Sequence, residues 1–155
     1  MPPGRPTRTL RQRAVAMLAR REYARAELAT RLVATGAARE DVEALLDDLQ
    51  RLGYLCDARF AGALVRQKAG SYAPRAIAHA LRERGVAKDA AAEALAEVGT
   101  DEFALAQALW QRRFGTPPAD EREKARQLRF LVSRGFATSL AWRVLRAAGV
   151  RADDD

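Results

Sequence analysis

The chain has 155 residues, with 27 Lys and Arg against 20 Asp and Glu and a formal net charge of +7. Its single cysteine, Cys56, excludes an internal disulfide and any multi-cysteine metal site, and fits a reducing, cytoplasmic setting. No apolar run reaches membrane-spanning length, and the opening MPPGRPTRTLRQR lacks the apolar middle of a signal peptide.

Alanine, leucine, glutamate and arginine dominate, and no strand-length run of β-branched residues competes with helix. Residues 1–8 read as a flexible arm. A first three-helix unit is expected over 9–53. Leu10, Ala14, Met17 and Leu18 form the stripe of its opening helix. Leu28 and Leu32 mark a second helix that stops near Gly36. A third spans Arg39 to Arg51, with Val42, Leu45, Leu46 and Leu49 on one side and Glu40 and Asp41 in its first turn.

A second unit is expected over 54–99. Asp57 is placed to cap its first helix, which buries Phe60, Leu64 and Val65. Pro74 suits the first turn of the next helix, where a missing N–H costs nothing. Ile77 and Leu81 take the places of Leu28 and Leu32, and Gly85 stops the helix. Ala91, Ala94, Leu95 and Val98 then repeat the spacing of Val42, Leu45, Leu46 and Leu49.

A third unit is expected over 100–150. Phe103, Ala106, Leu109 and Trp110 are helically spaced. The break GTPPAD, 115–120, separates them from a helix that Asp120 and Glu123 would cap as a box. Leu128 and Leu131 supply its buried side, Gly135 closes it, and Ala141, Val144, Leu145 and Ala148 complete the pattern. The final RADDD, 151–155, reads as a flexible acidic tail.

The three units share a fourteen-residue stretch: Tyr23–Gly36, Tyr72–Gly85 and, more diverged, Arg122–Gly135. The closing glycines lie 49 and 50 residues apart. One residue beyond them stand Ala37, Val86 and Phe136; ten beyond stand Leu46, Leu95 and Leu145. A repeat of this period predicts an all-α, elongated array of three tandem three-helix repeats that recognises a large partner.

Charge is uneven. The segment Arg5–Arg39 carries nine arginines against two acids, Glu40–Asp57 six acids against one arginine, and Arg122–Arg146 seven basic residues against one acid. Arg122, Arg126 and Arg129 follow at four and three residues and so line one helix face. With Arg134 and Arg143 they form the first candidate contact for phosphates or an acidic protein patch. Arg25 and Arg31, beside Arg20 and Arg21, give a second. Both also read as ordinary solvated helix surface. Tyr23, Tyr54 and Tyr72 are able to stack on bases, but the recurrence of Tyr23 and Tyr72 at one repeat position favours packing.

Catalytic chemistry is poorly supplied. His79 is the one histidine, Cys56 has no histidine partner nearby in sequence, and Glu43, Asp47 and Asp48 sit on a helix among many charges. There is no phosphate-binding glycine loop or dinucleotide fingerprint. No catalytic, metal or cofactor site is expected.

The stretches REYARAEL (Arg21–Leu28), LQRLGYLCDARFAGALVRQK (Leu49–Lys68), YAPRAIAHALRERGV (Tyr72–Val86) and RQLRFLVSRGF (Arg126–Phe136) together resemble the bacterial RecX family, over roughly Leu10 to Val150. The resemblance implies a curved array of three three-helix repeats and a regulatory role in DNA recombination and repair. The implied partner is the RecA recombinase filament, whose strand exchange, ATP hydrolysis and coprotease activity it would inhibit. DNA, single- or double-stranded, is a further implied partner; the protein would act as a monomer, without cofactor. Tyr23, Leu28, Gly36, Tyr54, Phe60, Tyr72, Ile77, Leu81, Gly85, Leu131 and Gly135 carry over as structural positions. Cys56 departs from the acidic residue often found after GYL. A stand-alone DNA-binding module and an adaptor for another assembly are the alternatives.

Overall fold

The computed structural model describes residues 8–150. The expected arm, apart from Arg8, and the expected tail at 151–155 lie outside the described residues. Among the described residues the chain is all-α, with nine helices and no strand: α1 Leu10–Arg20, α2 Arg25–Ala34, α3 Arg39–Arg51, α4 Asp57–Lys68, α5 Pro74–Glu83, α6 Lys88–Ala96, α7 Glu102–Arg113, α8 Glu121–Ser133 and α9 Thr138–Ala147. None of these is long and apolar enough to cross a membrane.

Local chemistry explains the boundaries. Thr9 and Gln12 close a reciprocal capping box at the start of α1. At α8 the Asp120 carboxylate accepts from the Glu123 N–H at 2.8 Å, but the return arm differs from the expected box: the Glu123 carboxylate accepts from Ala119 instead of Asp120. Pro74 opens α5. Gly36, Gly85 and Gly135 end α2, α5 and α8 at φ of +96°, +82° and +99°, a left-handed turn that costs other residues a clash at Cβ.

Two compact units are formed. Among the described residues, one takes in 8–63 together with Leu81–Ala94; the other takes in Leu64–Ala80 and 95–150. The division runs through α4, α5 and α6. In the first unit Leu28, Leu32, Val42, Leu46 and Leu49 bury one stripe of α2 and of α3 around Ala14, Tyr23 and Leu55. Each such leucine contributes about 1.5–3 kcal/mol of transfer free energy. The second unit's core joins Leu109 and Trp110 of α7, Leu131 of α8, and Ala141, Val144 and Leu145 of α9 with Ala73 and Phe136. Here Gln127 is fully buried: its side-chain oxygen accepts from Trp110 Nε1 at 2.8 Å, and its amide donates to the Thr116 carbonyl at 3.3 Å. It thereby pins the proline loop to the α7–α8 contact.

Phe60, Ile77 and Leu81, named as packing positions, are buried. Three expectations differ. Tyr54 is 54% exposed; what holds it is its backbone N–H, bonded to the Leu49 carbonyl at 2.9 Å as the chain leaves α3. Val98 does not continue the α6 stripe, because α6 ends at Ala96 and the side chain is left exposed. Asp57 serves a helix other than the one expected: it is the first residue of α4, and its carboxylate accepts the Arg25 N–H that opens α2, at 2.8 Å.

Two of the marker glycines also permit a close approach. A Cβ on Gly85 would stand 2.4 Å from the Ala26 Cβ on α2, and one on Gly135 would stand 2.6 Å from the Ala76 Cβ on α5. Gly36 has nothing within 4 Å of that position. The glycine that closes one helix thus presses on the first turn of the marker helix before it in sequence.

Candidate anion-binding cleft

The residue preceding Gly85 and Gly135 is in each case an arginine, and the two fare differently. Arg84 donates to the Glu27 carboxylate of α2 at 3.2 Å. Glu27 also holds Arg21 at 2.9 Å, and its side chain is only 13% exposed. Aligning Leu28 with Ile77 sets Ala76 against Glu27 in sequence, and the glycine contacts, which set Ala76 against Ala26, leave Ile77 in that place; neither carries a carboxylate. In the second unit Arg134 therefore lacks that carboxylate. Its guanidinium lies over Tyr72 at 4.8 Å and Phe130 at 5.2 Å, and it reaches the Ser71 carbonyl at 3.4 Å.

Other arginines gather at the same place. Arg113 lies 5.9 Å from both Phe114 and Phe130, and Arg126 lies 5.8 Å from Phe114. The two phenylalanines meet edge to face at 5.4 Å. Arg112 donates to the Gly70 carbonyl at 3.0 Å. Arg112, Arg113 and Arg134 surround a cleft of about 510 Å³, with Leu109 and Phe130 as its apolar wall and Ser71 and Ser133 at its edge. Stacking on a ring fixes the plane of a guanidinium but leaves its in-plane N–H groups directed outward, so it can still receive a carboxylate or phosphate.

Charge compensation separates the two units. In the first, Arg11 and Arg51 pair with Asp48, Arg25 with Glu43 and Asp47, Arg59 with Glu22, and Arg21 and Arg84 with Glu27. Two of these arginines are made less acidic by their partners: Arg25 first by its hydrogen bond to Glu43, and Arg59 first by its hydrogen bond to Glu22. In the second unit, the described residues include twelve Lys and Arg against six Asp and Glu. Among the described residues, no carboxylate lies within 4.0 Å of Arg112, Arg113, Arg122, Arg126, Arg129, Arg134 or Arg143.

Arg122, Arg126 and Arg129 are exposed along α8, as their spacing predicts. Only Arg126 of the three stands against the aromatic pair. Arg143 lies apart from that pair, over Phe103 at 4.8 Å. Arg25 is engaged within the chain: its guanidinium bridges α2 to Glu43 and Asp47 of α3 at 2.7 and 2.8 Å, and it also bonds Gln50. Arg31 is exposed beside Tyr23, 5.4 Å from the ring, with Arg21 at 3.6 Å. The faces of Tyr23 and Tyr72 are thus engaged by cations of the chain itself, Tyr72 also by Lys68 at 4.7 Å. Arg112 and Arg113 were missed by the sequence reading. Their signal was the adjacent basic pair closing α7 just before Phe114.

Comparison with known proteins places this geometry in a family. The model of the second three-helix domain of RecX matches residues 57–95, and that of the third matches 100–145. The regulatory protein RecX of Leptothrix cholodnii is 43% identical over 155 residues, covering 100% of this chain and 99% of that protein. The regulatory protein RecX of Chromobacterium violaceum is 41% identical, covering 96% and 94%. A crystal structure of RecX from Lactobacillus salivarius superimposes with a TM-score of 0.70 at 17% identity, covering 90% of this chain and 94% of that one.

Proposed function

The chain belongs to the RecX family, and from that membership we propose that it binds the RecA recombinase filament and inhibits strand exchange, ATP hydrolysis and coprotease activity. It does so in the cytoplasm, as a monomer without cofactor or catalytic step. The observation that carries the contact assignment is the set of arginines in the second unit that no carboxylate of the described chain neutralises. Arginines held on rings and backbone carbonyls are partly ordered before the partner arrives, which lowers the entropic cost of binding. Inhibition follows if the protein binds one filament state more tightly than another, since a ligand with equal affinity for both shifts neither. Contacts from more than one repeat would add avidity.

The test combines Arg112→Glu, Arg113→Glu and Arg126→Glu in the full chain. Inhibition of strand exchange and co-sedimentation with RecA filaments should require at least roughly tenfold more of this variant than of wild type, about 1.4 kcal/mol, with unchanged helical circular dichroism. Equal inhibition by the folded variant removes the contact assignment. A wild-type protein that neither sediments with filaments nor slows exchange removes the regulatory reading.

A second reading, direct DNA binding, is favoured by one feature of the first unit. Arg8, Arg13 and Arg20 line a groove of about 420 Å³ along α1 with Ala16 and Met17, and none of the three pairs with a carboxylate among the described residues. Phosphate contacts of this kind would give affinity that falls steeply with salt and depends little on sequence. Binding to naked oligonucleotide that is insensitive to salt, or to Arg13→Glu with Arg20→Glu, excludes it.

A further inference from the structure

We infer that the cleft between Arg112, Arg113 and Arg134 receives an acidic side chain of the protein partner, doing there what Glu27 does for Arg84 within the chain. The inference rests on the filament-binding reading and names the chemistry that its contact uses. Its basis is an internal comparison. Arg84 and Arg134 both precede a left-handed glycine that presses on the first turn of a marker helix. For Arg84 that helix supplies the Glu27 carboxylate, at 3.2 Å. For Arg134 the position aligned by sequence is Ala76, and the one that follows the glycine contact as Glu27 follows Ala26 is Ile77; neither side chain offers an acceptor.

Two further observations favour a carboxylate over a nucleic-acid strand. Binding a strand by stacking requires free ring faces. Here Phe130 is flanked by Arg113 and Arg134, and Tyr72 by Arg134 and Lys68. The arginines are also anchored: Arg112 on the Gly70 carbonyl and Arg134 on the Ser71 carbonyl, both in the short turn before α5. Fixed guanidinium edges around an apolar wall of Leu109 and Phe130 suit one planar carboxylate on an aliphatic stem, as a glutamate presents it. The wall would take the methylenes and the edges would take the oxygens.

The experiment follows the arginine Nε–Hε resonances of the full chain while adding the blocked pentapeptide Glu-Asp-Glu-Asp-Glu. A parallel titration uses a twelve-residue oligothymidylate. The peptide should shift the Arg112, Arg113 and Arg134 signals saturably, and at lower concentration than the oligonucleotide does. Arg112→Gln with Arg134→Gln should weaken the peptide at least roughly tenfold, about 1.4 kcal/mol. Unmoved signals with the peptide overturn the inference, as does tighter action of the oligonucleotide on the same three arginines. Co-sedimentation with RecA filaments on the same samples separates the two readings: filament binding without peptide binding removes only the carboxylate site. Absence of both removes the regulatory reading as well.

Discussion

The carboxylate of Asp57, the first residue of α4, accepts the backbone N–H of Arg25, the first residue of α2, at 2.8 Å. The residue before α2 is Ala24, which has no side chain able to cap. A residue 32 positions away therefore satisfies one of the orphan donors of that helix and places negative charge at its positive end. Asp57→Ala should lower stability by about 0.5–2 kcal/mol, the usual cost of a lost cap. Asp57→Asn retains the acceptor oxygen and should recover most of it. Urea denaturation of the two variants measures the difference; equal loss in both would show that the charge, not the acceptor, matters.

The marker glycines should rank by surroundings. Gly36→Ala meets only the left-handed backbone penalty, about 1–2 kcal/mol. Gly85→Ala and Gly135→Ala add overpacking against Ala26 and Ala76, a further 1–3 kcal/mol by usual magnitudes, roughly. The order of urea midpoints, with Gly36→Ala nearest to wild type, checks this.

Gln127 is the buried polar group whose loss should be felt most. Gln127→Leu leaves the Trp110 N–H and the Thr116 carbonyl without their partner, at a cost of about 1–3 kcal/mol for each buried group that no water reaches. Thermal unfolding should begin earlier, and Trp110 emission should change even in the folded variant. An unchanged midpoint and spectrum would remove Gln127 from the α7–α8 lock.

Arg25 and the cleft arginines should separate stability from binding. Arg25→Gln breaks the bridge to Glu43 and Asp47 and should cost about 0.5–1 kcal/mol, because the pair is partly open to water. Its affinity for RecA filaments should match wild type in co-sedimentation. Weaker filament binding at full helicity would return Arg25 to the contact surface.

Acid sensitivity should come partly from Asp48. Hydrogen bonds from Arg11 first, and then Arg51, hold its carboxyl below the usual carboxylate value. A depressed folded value means stability that is complete above the unfolded value, near pH 4, and is lost as pH falls through the folded one. Asp48→Asn should therefore flatten the decline of the urea midpoint below about pH 4. The effect is small because solvent screens this exposed pair. A decline as steep as that of wild type would show that other carboxylates carry the acid response.

What could be read from the residues was local. Helix periodicity, the Asp120 cap, Pro74 at a helix start, and glycines at stops all depend on neighbours a few residues away; they placed α3 at Arg39–Arg51 without a fold in hand. The arginine surplus and the family resemblance were legible for the same reason, being written in the order of residues. Which arginines remain uncompensated was not legible. Arg84 meets Glu27 across 57 residues, and Arg112 meets the Gly70 carbonyl across 42. Arg25 and Arg134 look alike in the sequence. Only packing gives the first its two carboxylates and the second two aromatic rings, because charge neutralisation acts over a few ångströms in space and has no fixed reach along the chain.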